Sequence, residues 1–190
     1  MSSKGRLVVV SGPTASGKST LWKRLVTYPN VDFSVSATTR AIRKGEVDGK
    51  DYSFISKEEF EQRIANSEFL EYATVHTNYY GTLRANVEES LNAGHDIVLE
   101  VDVQGAQQLS NCGLPMVSIF VVPPSRDVLI DRLRKRGTET EEQITTRLKV
   151  VDHEVTFAKD YDHQLVNDNF DQLLAETESI LGYSIEKSNG

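Results

Sequence analysis

The sequence predicts an α/β fold, with a central, mostly parallel sheet and helices on both faces. Two observations carry this. Short apolar runs rich in β-branched residues, Leu7–Val10, Ile97–Val101 and Met116–Val122, are separated by stretches with helical apolar spacing, so successive strands need crossover connections. The first run also passes into Gly12-Pro13-Thr14-Ala15-Ser16-Gly17-Lys18-Ser19, a G-x-x-x-x-G-K-S segment, just before a helical pattern begins. A loop in that place lies at the carboxyl edge of the sheet, where such folds bind ligands.

The residue types of the loop suit an anion. Gly12 and Gly17 allow positive φ and close backbone approach, and the following helix turns the positive end of its dipole toward the bound group. Lys18 adds a full charge for β- and γ-phosphates, Ser19 offers a hydroxyl to Mg²⁺, and Ser16 donates through its backbone. A glycine-rich turn that matches by accident is the plainer alternative. Context weighs against it: the loop follows a β-branched run and precedes Leu21, Trp22, Leu25 and Val26, which bury one helix face until Pro29 stops the helix at about Tyr28.

With 190 residues, the chain can form one α/β domain with a sizeable core, or a core carrying small inserted lobes. Its 38% hydrophobic and 26% charged residues are those of an ordinary globular protein. No apolar run reaches membrane-spanning length and Met1–Arg6 leads into no hydrophobic signal region, so a cytoplasmic location away from membranes is expected. Cys112 is the only cysteine, which excludes an intrachain disulfide, and the four histidines lack metal-ligand spacing. A net charge of −7 argues against a general nucleic-acid binder. An anionic substrate therefore needs locally gathered cations, which Arg40–Lys44 and Arg132–Arg136 supply.

Beyond the first helix, Phe33–Ser36 precedes a polar stretch, Ala37–Asp51, that reads as a long exposed loop. Tyr52–Ile55 alternates like a strand, and Ser56 with Glu59 forms a capping box for a helix through Phe60 and Ile64. Residues 71–80 read as short strands and a turn, and residues 84–93 as a helix with Val87 and Leu91 inward and Gly94 at its C-terminal cap. Ile97–Asp102 is a buried strand ending in acids. Met116–Val122 is the next central strand, closed by Pro123-Pro124, after which Ser125 caps a helix that ends in the basic run before Gly137. Thr140 and Gln143 open another helix carrying Ile144, Leu148, Val151 and Val155 on one face. His163–Val166 is a last short strand, and Leu173, Leu174, Ile180 and Leu181 mark a C-terminal helix.

A phosphate loop says only nucleotide, so the reaction has to be read elsewhere, and residues 36–82 are the informative segment. Arg40 and Arg43, with phenols from Tyr52 and Tyr80, are types that grip a second phosphate through charge-assisted forks. Glu71 with Ser36 or Thr82 suits a purine edge: a carboxylate accepts from guanine N1–H and N2–H₂ together while hydroxyls donate to O6, and adenine offers neither match. Such a site rejects a mismatched analogue by roughly 10⁴ or more, because its buried polar groups would be left unpaired. On composition alone, a solvated loop face accounts for the arginines and half-buried strand positions for the tyrosines equally well.

The motifs S-G-P-x-x-x-G-K-S-T (11–20), S-x-T-T-R-x-x-R-x-G-E (36–46), G-K-D-Y (49–52), N-Y-Y-G (78–81), V-D-V-Q-G (101–105), R-G-T-E-T-E (136–141) and V-N-D (166–168) follow one another along nearly the whole chain. In them the sequence resembles guanylate kinases. The resemblance implies a single guanylate-kinase-like domain spanning 1–190 on a P-loop, three-layer α/β fold. Its core would comprise 1–34, 85–124 and 156–190, with a small mixed α+β GMP-binding lobe at about 35–84 and a helical lid at about 125–155. It also implies transfer of a phosphoryl group from ATP to GMP, or to dGMP, with Mg²⁺.

Carried over by residue, the resemblance assigns Gly12, Ala15, Ser16, Gly17, Lys18, Ser19, Thr20 and Asn167 to ATP, and Ser36, Glu71 and Thr82 to guanine. It assigns Arg40, Arg43, Tyr52 and Tyr80 to the GMP phosphate, and it makes Lys18, Arg136 and Arg147 catalytic, with Arg132 a further lid candidate. Glu100 stands where some relatives carry Asp in D-x-D, with guanine and Mg²⁺-bound water as its alternative targets, and Asp102 with Ser19 is the implied metal pair. Asn167 equally suits a backbone-capping role, and the basic run before Gly137 equally suits its own helix C-terminus. Two rivals are a monophosphate kinase for another base, which Ser36, Glu71 and Thr82 oppose, and a non-catalytic guanylate-kinase-like interaction module, which the intact loop, Lys18 and lid arginines oppose. Both small lobes are expected to close on binding. Nothing in the sequence chooses between monomer and homodimer.

Overall fold

The computed structural model describes residues 5–75, 77–137 and 139–184. A five-stranded sheet has the order β2-β7-β1-β8-β9, built from Leu7–Ser11 (β1), Val31–Phe33 (β2), Asp96–Glu100 (β7), Met116–Val122 (β8) and His163–Val166 (β9). A four-stranded sheet has the order β4-β3-β6-β5, built from Ala37–Thr38 (β3), Ser53–Phe54 (β4), Phe69–Val75 (β5) and Asn78–Leu83 (β6). The helices are Lys18–Leu25 (α1), Lys57–Ala65 (α2), Arg84–Asn92 (α3), Val103–Leu109 (α4), Arg126–Arg136 (α5), Glu141–Val155 (α6) and Phe170–Leu181 (α7). This is the mixed α/β class, with a parallel central sheet, that the alternation of apolar runs predicts. The chain parts into two compact units, Met1–Val9 with Asn30–Met116, and Val10–Pro29 with Val117–Gly190.

In the first unit β2 runs parallel to β7, Val31 beside Asp96 and Phe33 beside Val98. Arg6 is tied to Asp96 by its backbone N–H and its Nε, both at 3.0 Å. The four-stranded sheet covers its own small core: Ala37, Phe60 and Phe69 are buried, with Ile55, Ile64, Tyr79 and Leu83 packed around them. Phe60 stacks on Phe69 at 4.3 Å and on Tyr79 at 5.1 Å between ring centres. The expected exposed loop over Ala37–Asp51 therefore needs correction at its start. Ala37 and Thr38 form a fully buried strand that pairs with Gly81 and Tyr80 of β6. Two residues are too few for an alternating pattern to stand out from the polar stretch behind them.

The pairing of β5 with β6 is irregular at one place. Phe69 faces Leu83, yet Glu71 faces Thr82, so two residues of β5 oppose one of β6. Side chains alternate along a strand, and paired residues share a face. Without the bulge Glu71 would lie on the side of Phe69, in the aromatic core. With it, Glu71 moves to the face of Thr82 and Tyr80.

In the second unit β8 and β9 are parallel, Ile119 beside His163 through Val122 beside Val166. Ser125 caps α5 by accepting from Val128 N, and Gly137 ends that helix at φ 65. Thr140 and Gln143 form the full capping box of α6. At α2, Ser56 accepts from Glu59 N, but the Glu59 carboxylate pairs with Arg63 instead of returning to the cap. Leu129 and Leu133 of α5 bury against Ile144, Leu148 and Val151 of α6, with Ala15 of the phosphate loop packed on the cluster. Val155, the expected fourth member of the α6 stripe, is 42% exposed because the stripe runs a turn past its partners. Helix α1 closes at Leu25, short of Tyr28, and continues as tight turns in which Thr27 Oγ1 donates to Arg24 O and competes with the helical pattern.

Candidate active site

The loop between β1 and α1 is shaped by close approaches that only glycine permits. A β-carbon on Gly12 (φ 146) would lie 2.2 Å from Val121 O, and one on Gly17 (φ 99) would lie 2.0 Å from Asn167 Nδ2. Gly17 is also the N-cap of α1 and brings no side-chain cap to it, so the dipole end of the helix opens onto the loop. Ala15 takes φ 59, a left-handed conformation costly for a residue with a β-carbon, so its surroundings have to hold it. They do: Asn167 Nδ2 donates to Ser16 O at 2.8 Å, Arg132 Nη1 reaches Ala15 O at 3.5 Å, and Arg132 Nη2 donates to Asn167 O at 2.8 Å.

Lys18 Nζ donates to Pro13 O at 3.3 Å, which folds the ammonium back over the loop. The Ser16 hydroxyl is buried without a hydrogen-bond partner, an unmet polar atom inside this cradle. Ser19 and Thr20 are exposed on the first turn of α1. Among the described residues no group of three or more His, Cys, Asp or Glu side chains could hold a metal ion. Mg²⁺ sites in general take few protein ligands and complete their octahedron with water and phosphate oxygens. The Ser19 hydroxyl and the Asp102 carboxylate are hard oxygen donors of the kind Mg²⁺ takes.

On the bulge-set face of β5 and β6, Glu71 is 5% exposed and accepts from Thr82 Oγ1 at 2.6 Å. Burial, with a smaller push from the Asp102 carboxylate, raises its pKa to about 7 against the opposing Thr82 bond. Asp102 caps α4 by accepting from Gly105 N at 2.9 Å. Arg40 holds Glu46 in a two-pronged fork, Nη1 to Oε2 at 3.0 Å and Nη2 to Oε1 at 2.8 Å, and it also bonds Tyr80. The Arg40 guanidinium lies 5.4 Å from the centre of the Tyr52 ring, which meets the Tyr80 ring edge-on at 5.9 Å. Burial, then Glu100 and Tyr80, push the Tyr52 phenol up. A cation framed by phenols, next to a buried carboxylate and hydroxyl, can hold a phosphate and a polar base edge at once.

The comparisons with known proteins are decisive beside this geometry. The sequence profile of the family described as Guanylate kinase matches residues 4–183. The chain belongs to the guanylate kinase family. It is 46% identical over 178 residues to the guanylate kinase of Clostridium tetani, covering 94% of this chain and 86% of that one. It is 41% identical over 186 residues to the guanylate kinase of Rickettsia felis, covering 97% of each. The crystal structure of guanylate kinase from Anaplasma phagocytophilum superposes with a TM-score of 0.75 at 34% identity, covering 98% of this chain and 89% of that one.

Of the residues that resemblance to guanylate kinases singles out, the fold gathers Glu71, Thr82 and Tyr80 on one strand-pair face and brings Arg40 and Tyr52 to Tyr80. Glu100 ends β7 and acts on Tyr52 through its charge. Ser36 is half-buried, with its carbonyl taking Ser53 N at 2.9 Å, and Arg43 is exposed, with its N–H bonded to Glu46 at 2.8 Å. In the other unit Arg136 is exposed on the last turn of α5. Arg147 pairs with Glu139 at 3.2 Å, and Arg134 is bound by Glu141. The amide of Asn167 is committed to the loop backbone, in the capping role its sequence position left open.

Helix α4 and the Glu46 fork are among the features that the sequence reading did not name. Helix α4 was signalled by Val103, Ala106 and Leu109, apolar at intervals of three and all buried, behind the N-cap Asp102. The Glu46 fork was visible only as the last letter of the motif that contains Arg40. Among the described residues no helix is long and apolar enough to cross a membrane.

Proposed function

We propose that the chain moves the γ-phosphoryl group of ATP onto GMP or dGMP, yielding ADP and the nucleoside diphosphate. The observation that carries this is the buried Glu71–Thr82 pair in a chain of the guanylate kinase family. Ionised Glu71 accepts from guanine N1–H and N2–H₂ while the Thr82 or Ser36 hydroxyl serves O6. Adenine presents an acceptor at N1 and a donor at position 6, so the same groups oppose it. Arg40 with Tyr80, Tyr52 and Arg43 takes the GMP phosphate.

The phosphate loop takes the ATP phosphates on its backbone and the α1 N-terminus, with Lys18 following the transferring group. A non-bridging oxygen of the GMP phosphate forms the new P–O bond as the β–γ bridging bond breaks and its electron pair leaves with ADP. The attacking oxygen is already ionised, so no general base is needed. Arg136 and Arg147 balance charge on the transferring group. Mg²⁺ would be held through the Ser19 hydroxyl with the Asp102 carboxylate as a further oxygen donor, and would supply positive charge to offset that of the transferring phosphate. We place the reaction in the cytoplasm, since a chain with one cysteine has no intrachain disulfide to keep oxidised.

The test is ADP formation from ATP with GMP, dGMP, AMP or UMP as acceptor. Turnover with the two guanine nucleotides alone, abolished by Lys18→Ala, is the expected result. Equal rates on AMP and GMP would remove the base assignment, and an undiminished Lys18→Ala rate would remove the donor assignment.

A further inference from the structure

Gly105 lies inside α4, where glycine is a poorer choice than alanine because it has more backbone freedom to lose. A β-carbon built on it would stand 2.6 Å from Glu71 Oε2, 3.2 Å from Glu71 Cδ and 3.2 Å from Val101 Cβ. The first of these distances is well inside the roughly 3.5 Å of an ordinary nonbonded contact. The other carboxylate oxygen is held by Thr82 Oγ1 at 2.6 Å. The Gly105 N–H, bonded to Asp102 Oδ1 at 2.9 Å, fixes the first turn of α4 beside the slot, and the β5 bulge turns Glu71 into it.

We propose that Gly105 is a specificity-determining positioning residue: the absence of its side chain sets where the Glu71 carboxylate meets the base of the acceptor nucleotide. The proposal rests on Glu71 reading guanine, as argued above. A methyl group at position 105 has two neighbours to displace. Val101 Cβ is fixed to the backbone at the end of the buried β7 run, whereas the Glu71 carboxylate is the far end of a flexible chain. The carboxylate therefore moves, the fold survives, and paired acceptance from N1–H and N2–H₂ is lost. IMP lacks the N2 amino group and so loses less than GMP.

Gly105→Ala is the test, read by steady-state kinetics with GMP and IMP at saturating ATP. The KM for GMP is expected to rise roughly tenfold or more, as misplacements of about an ångström do. The preference for GMP over IMP shrinks, while kcat at saturating GMP and the KM for ATP stay within about twofold. In a Glu71→Ala background the obstructed group is gone, so Gly105→Ala adds nothing to the KM for GMP and raises the melting temperature as a better helix former. Wild-type KM and base preference in Gly105→Ala, or an effect that persists undiminished on Glu71→Ala, overturns the proposal. Glu71→Gln on its own tests the underlying reading: an unchanged KM for GMP there removes that reading and the proposal with it, whereas a raised KM there with a silent Gly105→Ala sinks the proposal alone. Should Gly105→Ala fail to fold, recovery of folding in the double variant supports the slot, and continued failure overturns it.

Discussion

Glu71 reaches its place through a conflict: a carboxylate put almost out of water, with the Thr82 hydroxyl and backbone N–H as donors and Asp102 near enough to oppose its charge. The conflict shows in pH dependence. Below about 7 the free protein keeps this carboxyl protonated, and a protonated carboxyl does not accept from both guanine N–H groups. The kcat/KM for GMP should rise with pH through the region of 7 and then level, and Glu71→Gln should flatten the profile at a low value. Stability runs the other way. The pKa is raised from 4.5 to about 7, so the contribution is present below 4.5 and is lost as pH rises through about 7. Thermal melts should therefore favour Glu71→Gln over the natural chain more at pH values above 7 than below 4.5; a difference independent of pH contradicts this. At Arg40 the expected outcome is positional: Glu46→Gln weakens the fork and raises the KM for GMP several-fold with kcat at saturation retained. Glu71, Thr82 and the arginines stand out in the sequence because carboxylate, hydroxyl and guanidinium are the residue types that would complement guanine and phosphate. Gly105 does not, because its meaning lies in a contact it declines to make with a residue 34 positions away.

Among the elements, those with strong end signals were the most legible: α5 between Ser125 and Gly137, α6 behind Thr140 and Gln143, and β8 before Pro123 follow the sequence closely. The bulge in β5 had no such signal, since only the register against β6 reveals that Glu71 has changed face. Bracing of the phosphate loop was equally hidden, because Arg132 and Asn167 lie more than a hundred residues from Ala15 and Ser16. It has a measurable consequence. Asn167→Ala leaves the Ser16 carbonyl without its partner, a loss of about 1–3 kcal/mol if the group stays buried. The expected result is a lower melting temperature and a raised KM for ATP, with the KM for GMP near its natural value. Unchanged ATP kinetics would show that the loop holds its shape without the amide.

At the scale of the molecule, one unit carries the phosphate loop with Arg132, Arg136 and Arg147, and the other carries Arg40, Glu71 and Thr82. The alternation of apolar runs and helical stretches predicted a parallel sheet, but not the order β2-β7-β1-β8-β9, because periodicity says which segments pair as strands and not which neighbour each takes. An overall charge of −7 likewise hides the cations gathered at the loop, at Arg40 and along α5. The central claim is direct phosphoryl transfer from ATP to a guanine monophosphate, and ATP labelled in its γ-phosphoryl group follows it atom by atom. With GMP and AMP present together at equal concentration, the label should appear in GDP, with none bound covalently to the protein and none above background in ADP formed from AMP. Label retained on the protein, or shared equally between GDP and ADP, would contradict the account.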